Sequence, residues 1–245
     1  MSSNTVVLIT GASRGIGLGL TKSYLFRPNH IVIATTRRAS ESLTSLTHDP
    51  TSTLIVLTLD PSSATSTSTA FATLSSYNVS HIDIVLANAG LLSMAVAPVS
   101  TVDPAAVLEH FNVNTLGALH AFQSAWPFLR KAKAPKFVLL GSVLASIGGV
   151  EKRPVPLNAY GAGKVGAHYL VRKIHVENEG LVAFVVDPGR VASEGGKEAA
   201  KAFGLPEPPV SVQQSVDFIM AEIDKSTREQ TGGRFVSIEG KDWEW

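Results

Sequence analysis

Tyr160 and Lys164 stand four residues apart in NAYGAGKVGAHYL, a stretch largely stripped of bulky side chains. At positions i and i+4 of a helix, a phenol and an ammonium share one face. A free tyrosine ionises near pH ~10 and exchanges protons poorly at neutrality. Bringing it to pH ~7 takes about 4 kcal/mol of differential stabilisation. A neighbouring ammonium supplies about that at an effective dielectric of about 20. The pair therefore reads as a proton donor and the cation that tunes it, with the phenol's pKa lowered. Gly161, Ala162 and Gly163 leave room for a flat ring to approach.

A second constellation opens the chain. LITGASRGIG puts Gly11, Gly15 and Gly17 directly after an apolar run and at the start of a helical stretch. A pyrophosphate needs close backbone approach and free N–H groups, and a helix N-terminus offers both. The Gly-x-x-x-Gly-x-Gly spacing is a variant of the dinucleotide fingerprint. In an NAD site, a carboxylate roughly 20 residues further on holds the ribose 2′-hydroxyl. Here ATTRRAS puts Arg37 and Arg38 at that place. An arginine clamps a 2′-phosphate with charge-assisted bonds, and Arg14 adds a second positive group. NADP(H) is therefore the expected cofactor, with Arg37 the preferred clamp and Arg38 solvated.

Elements with defined ends must position these groups. TVVLIT (5–10), HIVIAT (30–35), TLIVLTL (53–59), IDIVLA (82–87), KFVLLG (136–141) and LVAFVV (181–186) are short runs rich in Val, Ile and Leu, and RFVSI (234–238) is a seventh. Runs of that length without alternation fit strands buried on both faces of a parallel sheet. Helices are predicted over 15–26, 104–126, 158–178 and 211–225. Asp103 and Pro104 open the second of these, Pro127 ends or kinks it, and Ser211 caps the last. The Ser/Thr-rich stretch 61–76 reads as a solvated surface helix. Residues 189–210, rich in Pro and Gly, read as an excursion that could cover a ligand. The alternation predicts an α/β fold: one domain, residues 1–245, with a Rossmann-type doubly wound parallel sheet of seven strands and helices on both faces.

Composition bounds the function. The 245 residues are 44% hydrophobic with a formal charge of +1. Such a balance recruits neither nucleic acid nor an anionic membrane. No cysteine occurs, which removes disulfides and thiolate metal sites. His168 and His175 lie seven apart with no third ligand evident, so no metal is expected. No apolar stretch reaches the ~20 residues of a membrane span and no signal peptide is evident, so a cytoplasmic protein is expected.

The sequence is identified as resembling the short-chain dehydrogenases/reductases. The carrying motifs are TGASRGIG (10–17), NAG (88–90), NVNTLGA (112–118), LLGSV (139–143), YGAGK (160–164) and DPGRVAS (187–193), in family order across nearly the whole chain. The resemblance implies that Tyr160 protonates a carbonyl oxygen, that Lys164 lowers the tyrosine's pKa and binds the nicotinamide ribose, and that Ser142 holds the substrate oxygen. It implies that Asn114 bends its helix and positions a water leading to Lys164. Gly11, Ser13, Arg14, Ile16, Gly17, Arg37, Asp60, Asn88, Val191 and Ser193 would hold the cofactor together with Tyr160 and Lys164. Asp60 would meet the adenine, and Val191 and Ser193 the carboxamide. Ser142 lies 18 residues before Tyr160, further than the family's usual spacing, which leaves Ser146 as the runner-up. Gly163 and Ser193 also depart from the usual residue types. The long serine-to-tyrosine segment and HYLVRKIHVENEGLVAFVVDPGRV are similar to fungal ketoreductases of the norsolorinic-acid type.

Leu91, Leu92, Met94, Leu144, Ile147 and Val155 are expected to line an apolar substrate site, with Lys152 and Arg153 facing solvent. Such a lining favours a hydrophobic or aromatic ketone, and the resemblance to the norsolorinic-acid type implies one of polyketide type. The expected activity is NADPH-dependent reduction of that ketone to a secondary alcohol. The alternatives are a dehydratase, isomerase or cyclase on the same fold, or an NADP-sensing binding protein. A homo-oligomer, dimer or tetramer, is expected from the apolar faces of 104–126 and 158–178. Trp243 and Trp245 near the chain end are expected to seek a partner.

Overall fold

The apolar runs become strands β1 (Thr5–Ile9), β2 (His30–Thr36), β3 (Thr53–Thr58), β4 (Ile84–Ala87), β5 (Lys136–Leu140), β6 (Val182–Asp187) and β7 (Phe235–Ser237) in a computed structural model that describes residues 4–93 and 95–245. All neighbours pair in parallel, in the order β3-β2-β1-β4-β5-β6-β7. The order reverses between β1 and β4, and in such sheets a ligand crevice opens at the carboxyl ends of the strands there. Successive side chains of a strand point to opposite faces. Val6 and Leu8 accordingly join one core with Ile33, Phe71 and Phe137. Val7 and Ile9 join the other with Leu20, Tyr24, Val32 and Ile219.

The helices are α1 (Gly15–Leu25), α2 (Glu41–Thr44), α3 (Ala64–Ala72), α4 (Pro104–His110), α5 (Gly117–Leu129), α6 (Asn158–Glu177), α7 (Glu194–Ala202) and α8 (Val212–Lys225). α3 forms in the Ser/Thr-rich stretch because Ser63 caps it and Thr67, Ala70 and Phe71 face inward. α8 carries a complete capping box, Ser211 with Gln214.

Four expectations are corrected. The helix expected over 104–126 is broken by a π-helical turn at Phe111–Leu116, which contains Asn114. Pro127 does not end it, since α5 continues to Leu129. A proline this close to the end forfeits only one backbone bond, and its fixed φ suits a helix. The 189–210 excursion holds an unpredicted helix, α7, capped by the Ser193 hydroxyl. Finally, Trp243 and Trp245 already have partners within this chain. Trp243 donates from its backbone to Phe235 O at 2.9 Å and from Nε1 to Asp187 Oδ2 at 2.8 Å. Trp245 packs on Phe235 and His168. The large apolar groups left exposed lie elsewhere, among them Leu108, Phe111, Tyr169 and Val176 on the α4-to-α6 side. Among the described residues no helix is long and apolar enough to cross a membrane.

Candidate active site

β1 delivers the chain into the glycine turn at the sheet's carboxyl edge. Gly11 (φ +65°) and Gly15 (φ +56°) adopt the left-handed region, which side chains with a Cβ resist. A Cβ on Gly17 would fall 2.4 Å from Gly11 O and 2.5 Å from Asn88 Nδ2. Asn88, just past β4, ties the turn to the sheet: Nδ2 donates to Thr10 O at 2.8 Å and Gly11 O at 3.0 Å. The start of α1 has no side-chain cap and no acidic residue in its first turn. Free N–H groups, positive dipole and absent Cβ atoms together fit the pyrophosphate of a dinucleotide.

Around this cradle, the Ser13 carbonyl accepts from Ser42 Oγ at 2.9 Å. Ile16 packs against the α1-side core. Arg37 is exposed at the end of β2, as is Arg38. Asp60 Oδ1 accepts from Ser62 N (2.9 Å) and Ser62 Oγ (2.7 Å). Those two bonds, and to a smaller extent nearby Arg37, hold its carboxyl below the usual range. Arg14 departs from expectation: its Nη1 is 2.9 Å from Glu194 Oε2, at the start of α7. The turn's own arginine is thus engaged by the 189–210 segment. Ser193 accepts from Gly196 N at 3.2 Å, and a Cβ on Gly15 would meet the Ser193 Cβ at 3.5 Å. Val191 is buried and bridged to Val210.

The chemistry sits two sheet positions from β1, at the end of β5. Tyr160 lies in the first turn of α6. Lys164, one turn on, is buried; its Nζ donates to Leu140 O, the last residue of β5, at 2.7 Å. That Nζ is 5.9 Å from the Tyr160 ring centroid. In this structure the shift of the phenol runs opposite to the expected lowering. Burial pushes Tyr160 up to about 12, with the Ser142 hydroxyl pulling back and Asp187 adding to the rise. Burial brings Lys164 down to about 8. Sequence spacing gave the shared face correctly; it did not show that both groups are desolvated, which favours the neutral form of each.

Ser142 follows β5, and its Oγ accepts from Leu144 N at 3.2 Å. Ser146, the runner-up, is buried and donates to Glu244 O at 2.6 Å, so its hydroxyl is already committed. Asn114 grips Leu91 at both ends, accepting from its N (2.7 Å) and donating to its O (2.9 Å). A Cβ on Gly90 would lie 3.1 Å from Asn114 Oδ1 and 3.4 Å from Lys164 Nζ, so glycine lets these groups converge. Gly163 is required because a Cβ there would lie 2.8 Å from the His110 carbonyl.

Leu144, Ile147 and Val155 line a cavity of about 210 Å³ together with Gly161 and Arg153. Arg153 does not point freely into solvent as expected: its guanidinium lies 4.1 Å over the Trp243 ring. Lys152 is exposed. Leu91 and Leu92 are half-buried, and Met94 lies outside the described residues. Sequence reasoning missed two residues at the site. His168 follows Lys164 by another helical turn, a signal that periodicity could have offered. His110 sets its ring edge-on to Tyr160, centroids 6.3 Å apart, and no local pattern announces that contact. Among the described residues no three His, Cys, Asp or Glu side chains gather as metal ligands.

Residues 5–202 match the short chain dehydrogenase family. Norsolorinic acid ketoreductase of Dothistroma septosporum is 43% identical over 243 residues, covering 96% of this chain and 90% of that protein. The norsolorinic acid ketoreductase of Aspergillus parasiticus is 39% identical over 238 residues, covering 95% and 88%. Among solved structures, the NADPH-bound carbonyl reductase from chicken fatty liver superposes with a TM-score of 0.85 at 23% identity, covering 100% of this chain and 96% of that one. Carbonyl reductase Sniffer of D. melanogaster gives 0.85 at 22% identity, covering both chains fully. The two structures share the fold.

Proposed function

The chain belongs to the short-chain dehydrogenase family, and on that footing we propose that it is an NADPH-dependent ketoreductase acting on a hydrophobic or aromatic ketone. The observation that carries the reading is Tyr160, with Ser142 beside it and Lys164 behind it, at the sheet edge where the uncapped start of α1 lies. The curated relatives named as ketoreductases support the reaction class, and their named substrate supports an aromatic ketone. Exposed Arg37 and the NADPH bound by the chicken reductase support the choice of nucleotide.

Bound at the glycine turn, the nicotinamide nucleotide supplies hydride. Ser142 holds the ketone oxygen by a hydrogen bond. Tyr160, kept protonated by its burial, gives that oxygen its proton as the alcohol forms. Lys164 stands behind the phenol as the next proton source, and an ammonium near pH 8 exchanges protons more readily than an unperturbed lysine. Asn114 pins Leu91, next to the Gly90 that Lys164 Nζ approaches. Leu144, Ile147 and Val155, lining the cavity that borders Gly161, offer the substrate an apolar wall.

Loss of NADPH absorbance with a panel of aromatic ketones tests the proposal. Tyr160→Phe is expected to cost about 10²- to 10⁴-fold in turnover with NADPH binding retained; full activity in that variant rejects the mechanism. Substrate conversion without NADPH consumption would instead indicate non-redox chemistry. The exposed apolar groups of α4 to α6 support self-association, and light scattering showing only monomer would reject it.

A further inference from the structure

Ser142 needs a fixed backbone if its hydroxyl is to meet a carbonyl oxygen. Its own carbonyl accepts from Ala145 N at 2.9 Å. Its N–H reaches across to α6 and donates to His168 Nε2 at 3.3 Å. With Nε2 accepting, the imidazole proton resides on Nδ1, and the ring is neutral. His168 is only 3% exposed, and its Nδ1 has no hydrogen-bond partner among the described residues. Leaving a buried donor unmatched is costly, so packing must add to the single polar bond that holds this ring.

Aromatic walls provide that hold. Phe235 stands edge-on to His168, centroids 4.5 Å apart at 72°, and Trp245 does so at 6.0 Å and 86°. Such T-shaped pairs suit an aromatic N–H or C–H edge against a π face. On the remaining side, a Cβ at Gly141 would fall 2.4 Å from His168 Nε2, so the end of β5 presses directly on the ring. The segment bearing Trp245 is strapped to the same loop. Gly148 N donates to Trp245 O at 3.0 Å, and Ser146 Oγ to Glu244 O.

We infer that His168, backed by Trp245, is a positioning residue for Ser142: it fixes the serine's backbone amide and so the hydroxyl beside Tyr160. The inference rests on the ketoreductase reading for what Ser142 does, and on geometry alone for what holds it. Two readouts separate these. Amide hydrogen exchange at Ser142 needs no substrate: His168→Phe is expected to speed it about tenfold or more while the central strands keep their protection. In NADPH-dependent ketone reduction, His168→Phe is expected to lower kcat by about 10- to 100-fold, as for a small misplacement of a reacting group, leaving NADPH affinity unchanged. His168→Gln restores an acceptor and should recover most of both. Trp245→Ala should move both readouts the same way by a smaller factor, and serves if His168→Phe does not fold. In a Ser142→Ala background, His168→Phe should cost no further activity. Unchanged exchange at Ser142, or full additivity with Ser142→Ala, overturns the inference. A wild-type protein inactive on every carbonyl overturns the ketoreductase reading, while the exchange measurement still decides the positioning.

Discussion

Above β1 the cleft is made of main chain; above β5 it is made of side chains. At the first edge, Gly11, Gly15 and Gly17 clear space, and the working groups are backbone amides at the start of α1. At the second, the working groups are a phenol, an ammonium and a hydroxyl, each taken partly or wholly out of water. The first region works through amides that carry no titratable proton, and its glycines are dictated by positive φ and by the close approach of Asn88 and Ala89. The second depends on what surrounds it, because burial sets the protonation of Tyr160 and Lys164. A binding surface built of backbone can thus be indifferent to the dielectric of its surroundings, though not to their shape, whereas an acid–base site depends on both.

That contrast can be broken most forcefully at Gly17. Its Cβ would strike backbone and the Asn88 amide, neither of which can swing away. Gly17→Ala is expected to weaken NADPH binding by about 100-fold or more, in line with the cost of overpacking (1–3 kcal/mol or beyond); fluorescence titration reads it. Unimpaired binding would mean the turn yields and the backbone edge is softer than its geometry indicates.

The side-chain edge should reveal itself through pH. Burial, helped by Lys164, lowers His168 from the ordinary 6.5 to about 3. The unfolded chain therefore binds a proton below pH ~6.5 that the native chain refuses, so this contribution to stability is present above that pH and drains away as pH falls toward ~3. Asp187 is raised by burial and contributes with the opposite sign, losing stability as pH rises through its folded pKa. Urea unfolding is expected to show a flatter acid limb in His168→Phe than in wild type. A parallel pair of curves would indicate that His168 is solvated.

Arg37 lies on the backbone-built side but acts through charge. Arg37→Asp is expected to shift the NADPH-over-NADH preference by about 10- to 100-fold, the worth of a charge-assisted contact of ~1.5–3 kcal/mol, measured as a ratio of kcat/KM values. An unchanged ratio would move the 2′-phosphate contact elsewhere. The smallest effect is expected at Glu194. Its pair with Arg14 is exposed at both ends, and such pairs contribute at most about 1 kcal/mol. Glu194→Gln should change NADPH affinity by no more than about fivefold, in the direction of tighter binding as Arg14 is released. A loss of affinity would show that Glu194 orders α7 over the nucleotide instead.

Legibility followed the same division. Seven buried runs gave seven strands because a strand covered on both faces has no choice but to be apolar. The glycine turn was readable because positive φ and close approach admit almost nothing else. Asn114 sits in a π-helical turn that no periodicity signals, since one inserted residue alters the repeat only locally. Arg14, Arg153, Trp243 and Trp245 found partners 56 to 180 positions away, and distance along the chain hides such contacts.

By itself the sequence determined the sheet, its cradle, and the pairing of Tyr160 with Lys164 on one helical face, because each follows from repeat spacing or from residues with few allowed conformations. Only the tertiary structure decided that the phenol is raised and the ammonium weakened, that Ser146 is occupied while Ser142 lies beside Tyr160, and that an aromatic segment from the far end of the chain braces His168. Those outcomes depend on which distant groups exclude water, and desolvation is a property of the packed surroundings that no short stretch of sequence contains.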